Sequence, residues 1–205
     1  MLIWRFDKTL VLNRPRKLAR PLYTIKRELE VIDLPNRIVE LLEEVDSPER
    51  LKRHLQIVYS TASELVNQIK QEWPTIVFNE ELILFGAGTH DIGKSLITKE
   101  LYEKGRKHEL KGKYLLQNHG FKIEEARFAF THGNWQEENL TIEDLIVSLS
   151  DKIWKGKRIA ELEEKVGKII SDNLNIDYWE VYVKLDEILV KLSNKSDELI
   201  LWQNQ

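Results

Sequence analysis

Cysteine is absent from this 205-residue chain, which excludes disulfide bonds and thiolate metal sites. A chain without cysteine is compatible with the reducing cytosol, and we expect a cytoplasmic protein. No apolar run approaches the roughly 20 residues of a membrane span. The first residues also lack the charged-then-apolar pattern of a secretion signal. We therefore expect no association with a membrane.

The chain also has little net charge, because 31 basic residues face 34 acidic ones and leave a formal charge of -3. This balance argues against nucleic-acid binding by the surface as a whole. A basic cluster near the start could still contact a polyanion or a substrate tail, or be a solvated surface segment. The cluster consists of Arg14, Arg16, Lys17, Arg20, Lys26 and Arg27. A homo-oligomer is compatible with the sequence, and the charge alone indicates no specific partner.

Hydrophobic residues recur at helical spacing through most of the chain and predict an all-α protein. One stripe is formed by Leu51, Leu55, Val58, Ala62, Leu65 and Ile69. We divide the chain into an N-terminal extension of uncertain structure, residues 1–33, and a helical domain, residues 34–205. Within that domain, residues 48–158 form the expected functional core and residues 159–205 form closing helices.

Local signals predict where several helices begin and end. Ser47 is expected to cap a helix that starts at the following proline. A nearly all-apolar helix is expected from Glu80 to about Asp91, with Gly93 ending it. One helix is expected over Ile123–Phe130. Thr141-Ile-Glu-Asp144 resembles a capping box at the start of the next helix.

Four of the five histidines belong to an ordered series with two aspartates. The series is His54, His90, Asp91, His108, His132 and Asp151. Successive members are far enough apart to lie on different helices that face one cavity. Imidazole and carboxylate groups suit Fe, Mn, Ni, Co or Zn, and six ligands exceed the need of one tetrahedral ion. The series predicts a site for one or two divalent ions. His119, at a helix end, is interpreted as structural.

The order of this series resembles that of the HD-domain metal-dependent phosphohydrolases. Three local strings carry the resemblance: His90-Asp-Ile-Gly-Lys94, His108-Glu-Leu-Lys-Gly112 and Leu149-Ser-Asp-Lys-Ile153. It covers roughly His54 to Arg158. Within the family, the segment from His108 to Asp151 is most similar to the subgroup that cleaves diadenosine tetraphosphate symmetrically.

The resemblance implies an HD-domain helical bundle and a role for each member of the series. The primary ion would be held by His54, His90, Asp91 and Asp151. Asp91 would also bridge to a second ion, which His108 and His132 would bind. A metal-bound water or hydroxide would be the nucleophile, because metals lower the pKa of bound water.

The implied activity is hydrolysis of a phosphate ester or anhydride of a nucleotide or dinucleoside polyphosphate. Asp91 and Lys94 are the catalytic candidates, and Lys94, Arg53 and Arg158 are the candidates for binding substrate phosphate. Three alternatives remain open: a nucleotide-binding HD module without catalysis, a di-iron HD-type oxygenase, and a nucleic-acid-associated protein that uses the basic cluster.

Overall fold

The computed structural model describes residues 31–205, and within them it is all-α, as predicted. The helices are α1 Asn36–Glu44, α2 Glu49–Glu72, α3 Glu80–Thr89, α4 Lys107–Asn118, α5 Ile123–Ala126, α6 Phe128–Thr131, α7 Ile142–Ile153, α8 Ala160–Leu174, α9 Tyr178–Ser193 and α10 Ser196–Gln203. Two 3-10 turns lie at Ile92–Ser95 and Thr98–Leu101. In this described part, no helix combines the length and the apolar character needed to cross a membrane. The basic cluster lies outside the described residues, and the domain limits stay predictions.

The helices bury two hydrophobic clusters, and α2 and α3 contribute to both. On α2, Leu51 and Leu55 belong to the smaller cluster, together with α1 and parts of α4 to α6. The later part of α2, from Ile57 onward, belongs to the larger cluster with α7, α8 and α9. Full burial of each such side chain stabilises the fold by about 1.5–3 kcal/mol. The backbones of α2 and α3 are therefore fixed on more than one side, which holds the polar residues between these apolar ones in place.

The predicted cap of α2 is wrong, whereas the capping box of α7 is confirmed. Pro48, not Ser47, precedes the first helical residue. The Ser47 hydroxyl instead shares a 2.7 Å hydrogen bond with the hydroxyl of Ser95, which joins the start of α2 to the first 3-10 turn. The Asp144 carboxylate accepts hydrogen bonds from the N–H of Thr141 at 3.2 Å and from its hydroxyl at 2.9 Å.

Gly93 was predicted to end a helix, and this prediction is wrong. It lies in the first 3-10 turn, because α3 already ends at Thr89. The reason for glycine here is close packing against α4. A methyl group on Gly93 would collide with the carbonyl oxygen of His108 and would lie 2.6 Å from the backbone nitrogen of Gly112. This contact brings the end of α3 against the start of α4.

Other helix ends differ in detail from the sequence interpretation. The helix expected over Ile123–Phe130 is divided at Arg127 into α5 and α6. The two closing helices are present as α8 and α9, and α10 was not predicted. At the end of α4, the Nδ1–H of His119 donates to the carbonyl of Leu115 at 2.8 Å, which agrees with a structural role.

Candidate metal centre

The structure brings all six residues of the histidine and aspartate series together. His54 lies on α2, and His90 and Asp91 directly follow α3. His108 lies in the first turn of α4, and His132 directly follows α6. The last member, Asp151, lies in the final turn of α7. All six are buried, with relative exposures of 8% or less.

One half of the cluster is formed around His54 and His90, whose Nε2 atoms lie 3.2 Å apart. The Oδ2 atom of Asp91 lies 3.0 Å from the His54 Nε2. The Oδ1 atom of Asp151 lies 3.5 Å from the His54 Nε2 and 3.6 Å from the His90 Nε2. Ligands bound at about 2.1 Å to one ion are themselves separated by about 3.0–3.4 Å. The histidine and aspartate atoms of this primary half therefore need little movement to hold a divalent ion.

The second half is formed on the other oxygen of the same carboxylate. The Oδ1 atom of Asp91 lies 3.0 Å from the Nε2 of His108 and 3.4 Å from the Nε2 of His132. The Asp91 Oδ1 and the His108 Nε2 are both buried, and neither has a hydrogen-bond partner. Buried polar atoms are normally satisfied, so this pair needs an explanation. A cation bound between them would satisfy both, and the residues present therefore fit a second ion.

The histidine rings are oriented so that Nε2 faces the cluster with a lone pair. The Nδ1 of His90 lies 2.9 Å from the carbonyl oxygen of Ala87, and the Nδ1 of His132 lies 3.0 Å from that of Phe128. A carbonyl oxygen only accepts hydrogen bonds, so each Nδ1 carries the proton and each Nε2 is free to ligate. Burial lowers the pKa of His90 despite the nearby Asp91, which favours the neutral, metal-binding form.

The two aspartates are held in the charged form. Burial by itself acts to raise the pKa of Asp91, but the neighbouring His90 ring and the ammonium of Lys94 outweigh it and hold that pKa well below the ordinary value. Burial acts in the same direction on Asp151, where Lys155 and Lys152 hold the pKa well below its usual range. Both carboxylates are therefore charged at neutral pH, as metal ligands must be.

Glu100 is part of the site, and sequence reasoning missed it. Its Oε2 atom accepts the Nδ1–H of His108 at 2.6 Å and the backbone N–H of the same residue at 3.1 Å. Its other carboxylate oxygen accepts the N–H of Lys107 at 3.3 Å, so the carboxylate also satisfies the start of α4. The loop Ile97–Lys107 carries no periodic signal that would have placed this side chain.

Replacing Glu100 with glutamine should weaken ion binding at the second half. The amide can still accept the Nδ1–H of His108, but without the negative charge it makes Nε2 a poorer ligand. Changes of this kind in partners of a metal-bound histidine reduce metal affinity by about 10- to 100-fold. Isothermal titration with Mn²⁺ would measure the change. Glu103→Gln, an exposed carboxylate in the same loop, is the control, and equal affinities in both variants would refute the role of Glu100.

Lysine side chains contact both buried aspartates. The Nζ of Lys94 lies 2.5 Å from the Asp91 Oδ2, so this residue faces the cluster as the sequence predicted. Lys152 and Lys155 were not predicted. Their Nζ atoms lie 2.5 Å from the Asp151 Oδ2 and 3.3 Å from the Asp151 Oδ1. The spacing of four residues between Asp151 and Lys155 on a helix was the signal that could have found the second of them.

Two arginines expected to bind substrate do not join the cluster. Arg53 precedes His54 on α2 and therefore lies about 100° away around the helix axis. It lines a separate cavity of about 480 Å³ together with Trp202 of α10. Arg158 is held by charged partners elsewhere, which raise its pKa. Those partners are Glu163 at 2.7 Å and Asp186 at 2.6 Å. Proximity in sequence to a ligand is therefore a poor guide to proximity in space, and a substrate contact of these two arginines stays a prediction.

One of three comparisons with known proteins found a match, and it agrees with this geometry. No curated protein and no solved structure is significantly similar to the chain. The family model described as HD domain matches residues 51–154, which is half of the chain and includes all six residues of the series. Members of this family are mostly metal-dependent phosphohydrolases, so the buried cluster is that of a metal-dependent hydrolase in general terms. The chain belongs to the HD-domain family.

Proposed function

We propose that this protein hydrolyses a phosphate ester or anhydride of a nucleotide, with a dinucleoside polyphosphate such as diadenosine tetraphosphate as the narrower candidate. The observation that carries the proposal is the shared carboxylate of Asp91. Its two oxygens face two separate sets of histidine Nε2 atoms, at 3.0 Å from His54 on one side and 3.0 Å from His108 on the other. Two ions joined through one carboxylate suit phosphoryl transfer, which needs both the attacking and the leaving oxygen stabilised.

In this proposal, one or two divalent ions of Fe, Mn, Ni, Co or Zn are bound by the six residues of the series. Bound ions supply a water of lowered pKa and positive charge for the phosphoryl oxygens. The protein groups position the ions and exclude bulk water. The histidines and aspartates hold their ring and carboxylate atoms in fixed positions, and burial excludes bulk water, which strengthens every charge interaction inside. Lys94 presents an ammonium group at the edge of the primary half.

Lys94→Met should retain metal and lose activity. Methionine preserves most of the apolar stem and removes the charge. Asp91 remains available as a ligand, so metal should be retained while the contact with substrate phosphate is lost. A hydrogen bond to a charged group contributes about 1.5–3 kcal/mol, so kcat/KM should fall about 10- to 100-fold. Steady-state kinetics and elemental analysis on the same preparation would check both parts. Lys99→Met, an exposed lysine in the following turn, is the control. Full activity in Lys94→Met would mean that this lysine only neutralises the charge of Asp91 and does not contact substrate.

The test of the function itself combines metal analysis with a substrate panel. The purified protein is stripped, reloaded separately with Mn²⁺, Fe²⁺, Co²⁺, Ni²⁺ or Zn²⁺, and offered nucleoside mono-, di- and triphosphates and dinucleoside polyphosphates. Product chromatography should reveal metal-dependent cleavage that Asp91→Ala lacks. Tight nucleotide binding without turnover would replace the proposal with a binding module. Oxygen consumption by the iron-loaded protein without phosphate release would replace it with a di-iron oxygenase.

A further inference from the structure

Lys155 and Lys152 contact different oxygens of Asp151, and the difference matters for ion binding. The Asp151 Oδ1, which Lys155 approaches at 3.3 Å, is the oxygen that also faces the Nε2 atoms of His54 and His90. Lys152 instead contacts the Oδ2 of Asp151, at 2.5 Å. Lys155 therefore contacts the Asp151 Oδ1 atom, which belongs to the primary half, and Lys152 contacts the Oδ2 atom, which does not.

Lys155 cannot keep this contact while Asp151 Oδ1 serves as a metal ligand. An ammonium group and a divalent ion on one oxygen would lie only a few ångströms apart in a buried site, where like charges repel strongly. Lys152 can keep its contact, because it binds the oxygen on the far side of the carboxylate. Of the two lysines on Asp151, ion binding thus requires Lys155 and not Lys152 to move away. Lys94, which contacts the Asp91 oxygen that faces His54, must move for the same reason.

The ammonium of Lys155 lies on the more solvent-exposed side of Asp151. The Lys155 side chain is 35% exposed, compared with 14% for Lys152 and 20% for Lys94, so it is the most open to solvent of the three. Its Nζ also lies 5.6 Å from the centre of the Trp154 ring, which packs against His54. A flexible four-carbon stem lets the charge reach outward from there while staying tethered to the end of α7.

We propose that Lys155 is an anion-binding residue that becomes available when the primary half is loaded, and that it binds a phosphate group other than the one being cleaved. The proposal rests on the phosphohydrolase function above and narrows its substrate class. Lys94 on Asp91 and Lys155 on Asp151 place two ammonium groups beside the ion site, in addition to the ions themselves. Two cationic side chains on different aspartates can contact two phosphate groups of one chain, which a single phosphate monoester does not offer.

A binding experiment tests the proposal without relying on turnover. Mn²⁺ is titrated calorimetrically into the stripped wild-type protein, Lys155→Met and Lys157→Met. Lys157 is the matched control, because it is exposed in the same loop and forms no ion pair with any residue of 31–205. Lys155→Met should bind Mn²⁺ several-fold more tightly than wild type, since a competing cation has been removed. Unchanged or weaker Mn²⁺ binding by Lys155→Met would overturn the proposal.

The second measurement compares tripolyphosphate with orthophosphate as ligands of the Mn²⁺-loaded proteins. Lys155→Met should weaken tripolyphosphate binding about 10- to 100-fold and leave orthophosphate binding unchanged, because one charge-assisted contact is lost only for the longer anion. Equal loss for both anions, or no loss, would overturn the inference. If the wild-type protein cleaves substrate but Lys155→Met binds Mn²⁺ and both anions as wild type does, this inference alone is refuted and the hydrolase function stands. The expected binding changes in a protein that cleaves no substrate would refute the hydrolase function and retain the anion site.

Discussion

Asp91→Ala is expected to remove both ions and reduce hydrolysis to the rate without enzyme. This carboxylate faces His54 with one oxygen and His108 with the other, so its loss deprives each proposed ion of a charged ligand. In the metal-free state the same change leaves the ammonium of Lys94 without its buried partner. Breaking a buried ion pair in this way costs about 3–5 kcal/mol, so the free energy of unfolding should fall by that amount. Elemental analysis and urea denaturation of the stripped proteins would measure the two effects.

Asp144→Ala is the matched control for this experiment. Asp144 is as buried as Asp91, but it accepts hydrogen bonds from Arg127 at 3.0 Å and from Thr131 at 2.8 Å, away from the six residues of the series. It should therefore lower stability while leaving the metal content unchanged. Full metal content in Asp91→Ala would refute the proposed site. Equal metal loss in both variants would mean that unfolding, and not loss of a ligand, explains the result.

His108→Ala and His132→Ala should each leave about one ion per chain. Both rings face the Oδ1 atom of Asp91 and not its Oδ2 atom, so removing either one should empty the second half and preserve the first. Turnover should fall about 10²- to 10³-fold, the usual loss when one preorganised group that stabilises transition-state charge is removed. His54→Ala should disturb the primary half instead, because its Nε2 faces Asp91 Oδ2 and Asp151 Oδ1. Metal counting alongside kinetics distinguishes the two patterns.

His119→Ala serves as the control, since this ring lies at the end of α4 and interacts with Leu115 and Glu44. It should keep both ions and full turnover. If the His108 and His132 variants also kept full activity, a mechanism with a single ion would be the better account. Those two histidines would then have structural roles.

The sequence predicted the parts of this protein that depend on local pattern. The apolar stripe of α2 follows the helical period, and the capping box of α7 is a motif of four residues, so both are readable without tertiary information. The six residues of the series could be selected because their chemical types are rare here and their order is distinctive. Helical periodicity also explains why His54 lies at the edge of an apolar face and points inward.

The remaining features depend on contacts between segments far apart in sequence. Gly93 looked like a helix end, and only its packing against Gly112 explains it. Glu100 lies in a loop that no periodic pattern positions, yet it orients His108. Arg158 follows Asp151 closely in sequence but is drawn toward Glu163 and Asp186 by charge. In each case the deciding partner comes from another element, which local propensity cannot specify.

The anchoring of the imidazole rings differs within the second half of the centre as well as between the halves. His90 donates to a carbonyl three residues earlier in its own chain, and His132 to one four residues earlier, so these rings are ordered by the helical backbone itself. His108 depends on a carboxylate from a separate loop, whose own order must be maintained. Prepared ligands lose less freedom on binding than ligands that must be ordered at that moment. His90 and His132 are therefore prepared as ligands by their own helices, whereas the preparation of His108 depends on the hydrogen bonds that Glu100 makes from the second 3-10 turn.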